Sequence, residues 1–390
     1  MKQHAYYKIG NTTNIVVSNS SMSAINPSEG GHPSKFLEFF GENKEELHSR
    51  SLERGKVVHS YIEDKTTFAI DDLDRPEDKI CQWADKILEL LESGDYGNNE
   101  VIEDKEIIDD IHTIAFQKDY DYTEYEIQSI ILTAREIIGY QPKWGIPAVI
   151  KKFKENRGVE YLLFKISNKD KFILSLSDKQ VVEACIKSLE ENPHLKNRLF
   201  QPIKEGYVLY KEVGICFKFP VQVEDGSSIV IKGKALLDNV HINFEEGLVF
   251  IEDLKTTTKS IYQMSPNKSK GTIGTVNAYN YHRQLAWYKF AIECLHAGSG
   301  FMIDSGKNKL SIPDFNAKKP LKVYTSIVAV ETTGNFRSAI VPINAKWIEK
   351  GDKEIESLIN RISWHIDKEN WETSKEESYQ GFIGMEHPIT

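Results

Sequence analysis

Two aspartates and a lysine near the middle of the chain have the types and spacing for phosphodiester hydrolysis. The segments Gly233-Lys-Ala-Leu-Leu-Asp238 and Phe250-Ile-Glu-Asp253-Leu-Lys255 read as neighbouring β-strands. Strand side chains alternate, so Asp253 and Lys255 project from one face, with Val249 and Ile251 ahead of them as core anchors. The turn at Glu245-Glu246-Gly247 sets a hairpin register that brings Asp238 almost opposite Asp253, where paired side chains lie roughly 5 Å apart. Two carboxylates that close repel strongly unless a cation neutralises them, and oxygen ligands suit Mg2+ or Mn2+. A lysine two residues on can orient a water and offset charge on a phosphate in transfer. The chemistry this demands is metal-assisted hydrolysis of a phosphodiester. Acidic-x-Lys triplets are also common on solvated strands, so the pattern needs support from the rest of the chain.

The elements that must position these residues are legible around them. Tyr207 to Val223, Ile229 to Asn243 and Leu248 to Thr256 are β-rich runs separated by hairpin turn signals, and together they predict an antiparallel meander. A helix over Thr275 to Leu295 should follow, then strands at Leu321 to Glu331 and Phe336 to Pro342, and a C-terminal helix near Asp352 to Lys368. Ahead of the meander, helical periodicity runs from Lys35 through Leu52 to Glu63. It returns in Ile80 to Leu91, Ile102 to Phe116 and Glu124 to Ile138, with Pro142 and Pro147 interrupting. One more helix is expected from Asp178 to Glu191, capped by Ser177 or Asp178 and closed by Pro193. The first 35 residues, rich in Ser, Asn, Gly and Pro, read as ordered but irregular. The expected class is α/β (α+β). Residues 1–64 would be a lead-in with the first core helices, 65–200 a mostly helical insertion, and 201–390 a core with a central mixed sheet flanked by helices.

Composition narrows the classes. With 40% hydrophobic and 27% charged residues the chain reads as soluble and globular, and it shows neither a membrane span nor the apolar stretch of a secretory leader. Cys81, Cys185, Cys216 and Cys294 lie far apart with no CxxC pair. That argues against a disulfide framework, a zinc ribbon or an iron–sulfur cluster, and for buried thiols in a reducing cytoplasm. The net charge of −9 hides a segregation. Between Leu254 and Ile292 there is no Asp or Glu, although the chain has 58, while Lys255, Lys259, Lys268, Lys270, Arg283 and Lys289 fall there. Lys307, Lys309, Lys318, Lys319 and Lys322 extend the bias, and Glu100 to Glu126 is dense in acid. Such a distribution suits a protein that meets a polyanion on one face, though a solvated basic loop would look the same.

Further residues complete a set. Arg54-Gly55-Lys-Val-Val-His59-Ser-Tyr-Ile-Glu63 puts a glycine four residues before a histidine, Glu212 precedes the hairpin, and Gln284-Leu-Ala-Trp-Tyr288 sets Gln284 and Tyr288 on one helical face. In this order the motifs resemble the PD-(D/E)XK nuclease superfamily, in particular the branch with the RecB nuclease domain and phage recombination exonucleases of the RecE and lambda type. The resemblance implies a restriction-endonuclease-like core and exonuclease action on linear DNA in recombination or repair. It implies Mg2+ (or Mn2+) held by His59, Glu212, Asp238, Asp253 and the backbone carbonyl of Leu254, with Lys255 positioning the attacking water. Gln284 and Tyr288 would steady the substrate strand or the lysine. Arg283, Lys259, Lys268 and Lys270 would bind the DNA backbone or a terminal phosphate, or be merely solvated. A single-strand annealing protein as partner, an oligomer, and the cytoplasm of a bacterium or phage-infected host are further implications.

Two departures from the family stand out. Asp253 replaces the Glu of many members, and the cysteine cluster of the iron–sulfur members is absent. Taken singly, His59 could be an ordinary histidine, Glu212 an exposed strand carboxylate, Glu63 a surface charge, and Tyr288 and Trp287 plain core aromatics. Two rival functions stay open: an endonuclease with the same metal site, and a non-catalytic DNA-binding or assembly protein that keeps the fold.

Overall fold

The computed structural model describes residues 15–40, 50–64, 68–71, 76–94, 96–97, 102–117, 121–168, 172–266, 274–304, 309–316 and 318–376. The chain divides into two compact units, one made of Met1–Lys65 with Val181–Thr390, the other of Thr66–Gln180.

The first unit starts with a lead-in more regular than its composition predicts. β1 (Val16–Val17) is followed by α1 (Asn19–Ile25), whose start is a reciprocal capping box between Ser18 and Ser21. Ser21 Oγ accepts from Ser18 N at 2.8 Å and Ser18 Oγ from Ser21 N at 3.2 Å. The serines here satisfy orphan helix donors, which is why a Ser-rich stretch is ordered. The expected helix from Lys35 to Glu63 is two helices, α2 (Pro33–Glu38) and α3 (Arg50–Asp64); residues 41–49 lie outside the described ones.

The second unit is mostly helical. β2 (Phe68–Asp71) pairs in parallel with β3 (Phe172–Ser175), and between them run α4 (Asp78–Ser93), α5 (Lys105–Gln117), α6 (Glu124–Ile138), α7 (Ile146–Glu155) and α8 (Gly158–Ser167). Its core centres on Trp83, whose ring lies 4.4 Å from that of Phe153 and whose indole donates to the Ile131 carbonyl at 2.9 Å. Pro147 opens α7 rather than merely breaking a helix, since a first-turn proline forfeits no helical hydrogen bond. Lys154 meets Asp104 at 3.1 Å and Glu106 at 2.5 Å, which binds part of the acid-dense stretch to the unit's own surface.

Next come α9 (Leu176–Glu191) and α10 (Lys196–Phe200). The residue that caps the start of α9 is Ser175, whose hydroxyl accepts from Asp178 N at 3.1 Å. The meander follows as β4 (Val208–Gln222), β5 (Ser228–Asn243) and β6 (Leu248–Thr257), with bounds close to those predicted. α11 (Thr275–Ala278) and α12 (Tyr281–His296) replace the single expected helix, because Asn280 between them is left-handed with φ 54°. The chain ends with β7 (Gly300–Ile303), β8 (Lys322–Glu331), β9 (Ser338–Ile343) and α13 (Ala345–Lys368).

These strands form one seven-stranded mixed sheet in the order β7-β4-β5-β6-β8-β9, with β1 parallel to β5 off this path. Along that path β6 and β8 are parallel, and the other neighbours are antiparallel. Helices flank the sheet, as the expected mixed α/β class requires. α12 is buried almost all round: Leu285, Ala286, Trp287, Ala291 and Ile292 are fully enclosed in the sheet's core. The Trp287 indole donates to the Lys234 carbonyl at 2.8 Å, which fixes the helix on β5. α13 packs closely on α12 at Gly351, where a Cβ would come within 2.5 Å of the His282 carbonyl oxygen. All four cysteines are buried. Among the described residues no helix is long and apolar enough to cross a membrane.

Candidate functional site

β5 shares one of its edges between two partners, each covering only part of it. β1 pairs with Lys232 and Gly233, β6 pairs with Asn239 to Asn243, and the stretch between, ending at Asp238, pairs with neither. The β5–β6 register runs Val240 to Ile251 and Asn239 to Glu252, then stops. The turn predicts Asp238 against Asp253, one step further along that register, where the backbone pairing has already ended. On the other edge Lys211 pairs with Asn239 and Val213 with Leu237, so Glu212 faces Asp238. Glu212 and Asp238 therefore form a row across β4 and β5, and Asp253 follows directly after the last paired residue of β6.

The ladder gives way along this row. Glu212 is left-handed with φ 43°, a conformation that costs a non-glycine residue about 1–3 kcal/mol and that the paired strand on either side must impose. Beyond the last β5–β6 rung, the Leu254 N–H donates to Asp238 Oδ2 at 2.7 Å. That hydrogen bond orients the carboxylate and keeps β6 tied to β5 where the backbone pairing has ended.

α3 brings His59 to the row. Its Gly55 lies against β6, with space for a Cβ only 2.9 Å from Thr256 Oγ1, and Lys211 of β4 donates to the Ile62 carbonyl at 2.7 Å. His59, one turn after Gly55, has Nδ1 3.6 Å from Glu212 Oε1 and 3.6 Å from Asp238 Oδ2. Ligand atoms of His59, Glu212 and Asp238 all lie within 4.8 Å of one another. A water-sized cavity of about 10 Å³ is lined by these three together with Ile62, Glu63, Asn239 and Leu254.

The spacing of Gly55 and His59 thus has a mechanical reading. A Cβ at position 55 meets Thr256 Oγ1, so a branched side chain there is expected to press α3 away from β6 and His59 from the carboxylates. Gly55→Val is expected to weaken Mn2+ binding by about tenfold with the fold retained. Calorimetric titration checks this, and unchanged affinity would show that the Gly55 contact does not set the position of His59.

The electrostatics are those of a site with too much negative charge. Burial pushes the Asp253 carboxyl up to about 6; Lys255 opposes the shift and Asp238 adds to it. The Asp238 carboxyl is raised as well, first by burial, with His59 opposing and Glu212 reinforcing. For His59, burial disfavours the imidazolium, but Asp238 and Glu212 outweigh it and the pKa is raised. Lys255 follows the same logic: desolvation works against its charge, and the attraction of Asp253 and Asp238 prevails, so it is held as an ammonium. Its Nζ lies 2.6 Å from Asp253 Oδ2 and 5.4 Å from the centre of the Tyr281 ring. Apart from that lysine contact, the buried Asp253 oxygens have no hydrogen-bond partner among the described residues. Clustered carboxylates driven up by burial, orphaned carboxylate oxygens and an adjacent imidazole are a donor set that fits a small divalent cation.

Other candidates fall elsewhere. Gln284 Nε2 donates to Tyr288 Oη at 2.7 Å, so the two share a helical face and bond to each other, and the Tyr288 ring is part of the core. Arg283 requires a correction: it is 1% exposed and therefore not a surface contact for DNA. Its guanidinium pairs with Glu29 and bonds Asn19 Oδ1 at 3.1 Å and Ser23 Oγ at 2.6 Å, clamping the lead-in to α12. Lys289 lies 2.8 Å from Glu293 and 3.9 Å from Asp352. Lys259 is exposed, and Lys268 and Lys270 lie outside the described residues. Tyr281, which no sequence motif flagged, covers Lys255 from the first turn of α12.

No family model and no curated protein matches the chain. Among solved structures it is similar to a protein from Eubacterium rectale named as a candidate exonuclease, at 15% identity and a TM-score of 0.34, over 66% of this chain and 83% of that one.

Proposed function

We propose that this chain is a metal-dependent DNA nuclease, and more narrowly an exonuclease acting on linear DNA in recombination or repair. One observation carries the proposal: Glu212 and Asp238 face each other on adjacent strands with His59 against both, and Asp253, just past the last β5–β6 rung, is paired with Lys255. A purely structural network gains nothing from three acids so poorly matched by cations, whereas a cation-binding hydrolase needs them. His59, Glu212 and Asp238 would hold Mg2+ or Mn2+, with Asp253 and the Leu254 carbonyl completing the set. When bound, the cation supplies Lewis-acid polarisation of the phosphate and a water of lowered pKa. Lys255, being an ammonium, acts as a donor to a non-bridging phosphate oxygen and to the attacking water rather than as a base. Leu254 N–H fixes the Asp238 carboxylate in its liganding orientation. The motif order of the PD-(D/E)XK nucleases and the acid-free stretch around Lys259 support DNA as the substrate.

The test pairs linear duplex DNA, labelled at its 5′ or 3′ end, with a covalently closed circle. The expected result is Mg2+- or Mn2+-dependent loss of the linear DNA with the circle spared, the first label released giving the polarity. Cutting of the circle would make the protein an endonuclease of the same site. No cleavage with either cation would leave the non-catalytic DNA-binding or assembly role as the better account.

A further inference from the structure

Two tyrosine rings lead from solvent to the lysine of the site. Tyr281 has its ring over Lys255 Nζ, and Tyr279 stacks on Tyr281 with ring centroids 5.7 Å apart and planes 26° from parallel. The left-handed Asn280 between them turns the chain so that residues two apart can stack. Tyr279 is 58% exposed, which leaves ring surface open to solvent. The segment that follows β6 is tied to the same region: Thr275 Oγ1 donates to the Gln263 carbonyl and Val276 N to that of Met264. That segment carries a second exposed aromatic, Tyr262, with the Arg337 guanidinium 5.4 Å from its ring centre.

A single exposed tyrosine is ordinary on a protein surface. Tyr281 packs partly against the sheet's core, but that packing does not account for Tyr279, whose exposed ring continues the stack outward from Lys255. Aromatic side chains offer a nucleobase a π-face, and stacking of this kind tolerates any base. Inside a duplex both faces of every base are already covered by its neighbours, so such a ring can serve only an unpaired base or a strand end.

We propose that Tyr279 and Tyr281 form a stacking platform for an unpaired base next to the scissile phosphate, so that the protein engages DNA through a single-stranded or frayed end. The inference rests on the nuclease reading of the Lys255 site, and its test is a binding measurement that needs no cleavage.

Oligonucleotides carrying 2-aminopurine at the terminal or at an interior position are titrated with the protein in Ca2+, and the strands are checked by gel to be intact. The parent should quench the terminal probe in single strands and overhangs, and should bind them about tenfold more tightly than blunt duplex. Tyr279→Ala should lose both the quench and the preference, Tyr279→Phe should keep both, and an abasic terminal nucleotide should reproduce the alanine result with the parent protein. If the parent binds DNA and Tyr279→Ala binds and quenches equally well, the platform is wrong while the nuclease reading stands. Loss in Tyr279→Phe as large as in Tyr279→Ala would also overturn it, because the hydroxyl and not the ring would then matter. If the parent binds no oligonucleotide at all, both readings fall.

Discussion

Replacing Lys255 by alanine is expected to lower DNA hydrolysis by about 10²–10³-fold while DNA binding stays near that of the parent. The asymmetry follows from where the lysine sits. It stands on β6 two residues beyond Asp253, its ammonium 2.6 Å from that carboxylate, and the surrounding acids hold it protonated. A permanent cation there is of most use where charge develops on the reacting phosphate, and adds little to the many contacts that hold a strand. The same variant should bind Mn2+ more tightly than the parent, since a cation that competes for Asp253 and Asp238 has been removed. That second measurement separates an electrostatic loss from a collapsed site, which would weaken metal binding too. Lys255→Arg should not restore full activity, because a planar guanidinium cannot occupy the point position of an ammonium between Asp253 and the Tyr281 ring. Cleavage by Lys255→Ala at the parental rate would falsify the assignment of the site.

The parts of this arrangement that the sequence disclosed are those governed by local rules. β4, β5 and β6 are long runs bounded by Gly-containing turns, so both their bounds and the β5–β6 register as far as Asn239 and Glu252 could be read. Gly55 and His59 could be paired because a helix repeats in four residues. What stayed hidden depends on long-range packing. The left-handed Glu212 carries no glycine to mark it, and its strain is imposed by the strands beside it. The acid-free stretch from Leu254 to Ile292 looked like a polyanion face, yet Arg283 finds Glu29 from a distant part of the chain. Sequence neighbours say nothing about such partners. β7, with four residues, and β2 and β3, also four each, are too short for periodicity to register. Tyr281 escaped notice because an aromatic at the start of a helix is unremarkable until the lysine beneath it is seen.

Asparagine in place of Asp253 should give a protein that melts higher than the parent without metal and cuts no DNA. Asp253 is fully buried, and its carboxyl is pushed up to about 6 because desolvation and Asp238 outweigh the attraction of Lys255. A raised folded-state pKa on an acid means that the folded protein holds its proton more firmly than the unfolded chain does. The stability this confers is present below the unfolded value near 4 and is lost as pH rises through 6. At neutral pH the charged side chain therefore destabilises the metal-free fold, by an amount on the order of 3 kcal/mol. Asparagine keeps the shape and drops the charge, so the melting temperature in EDTA should rise by ~3–6 °C at pH 7. The gain should shrink as the pH is lowered from 7 to 4, where the parent carboxyl takes up its proton. Saturating Mn2+ should stabilise the parent more than the variant, because a cation that binds only the folded state relieves the crowding of carboxylates that the substitution has already reduced. A variant that melts below the parent in EDTA would make the Asp253–Lys255 pair a net structural stabiliser, and Asp253 would lose its place among the metal-binding residues.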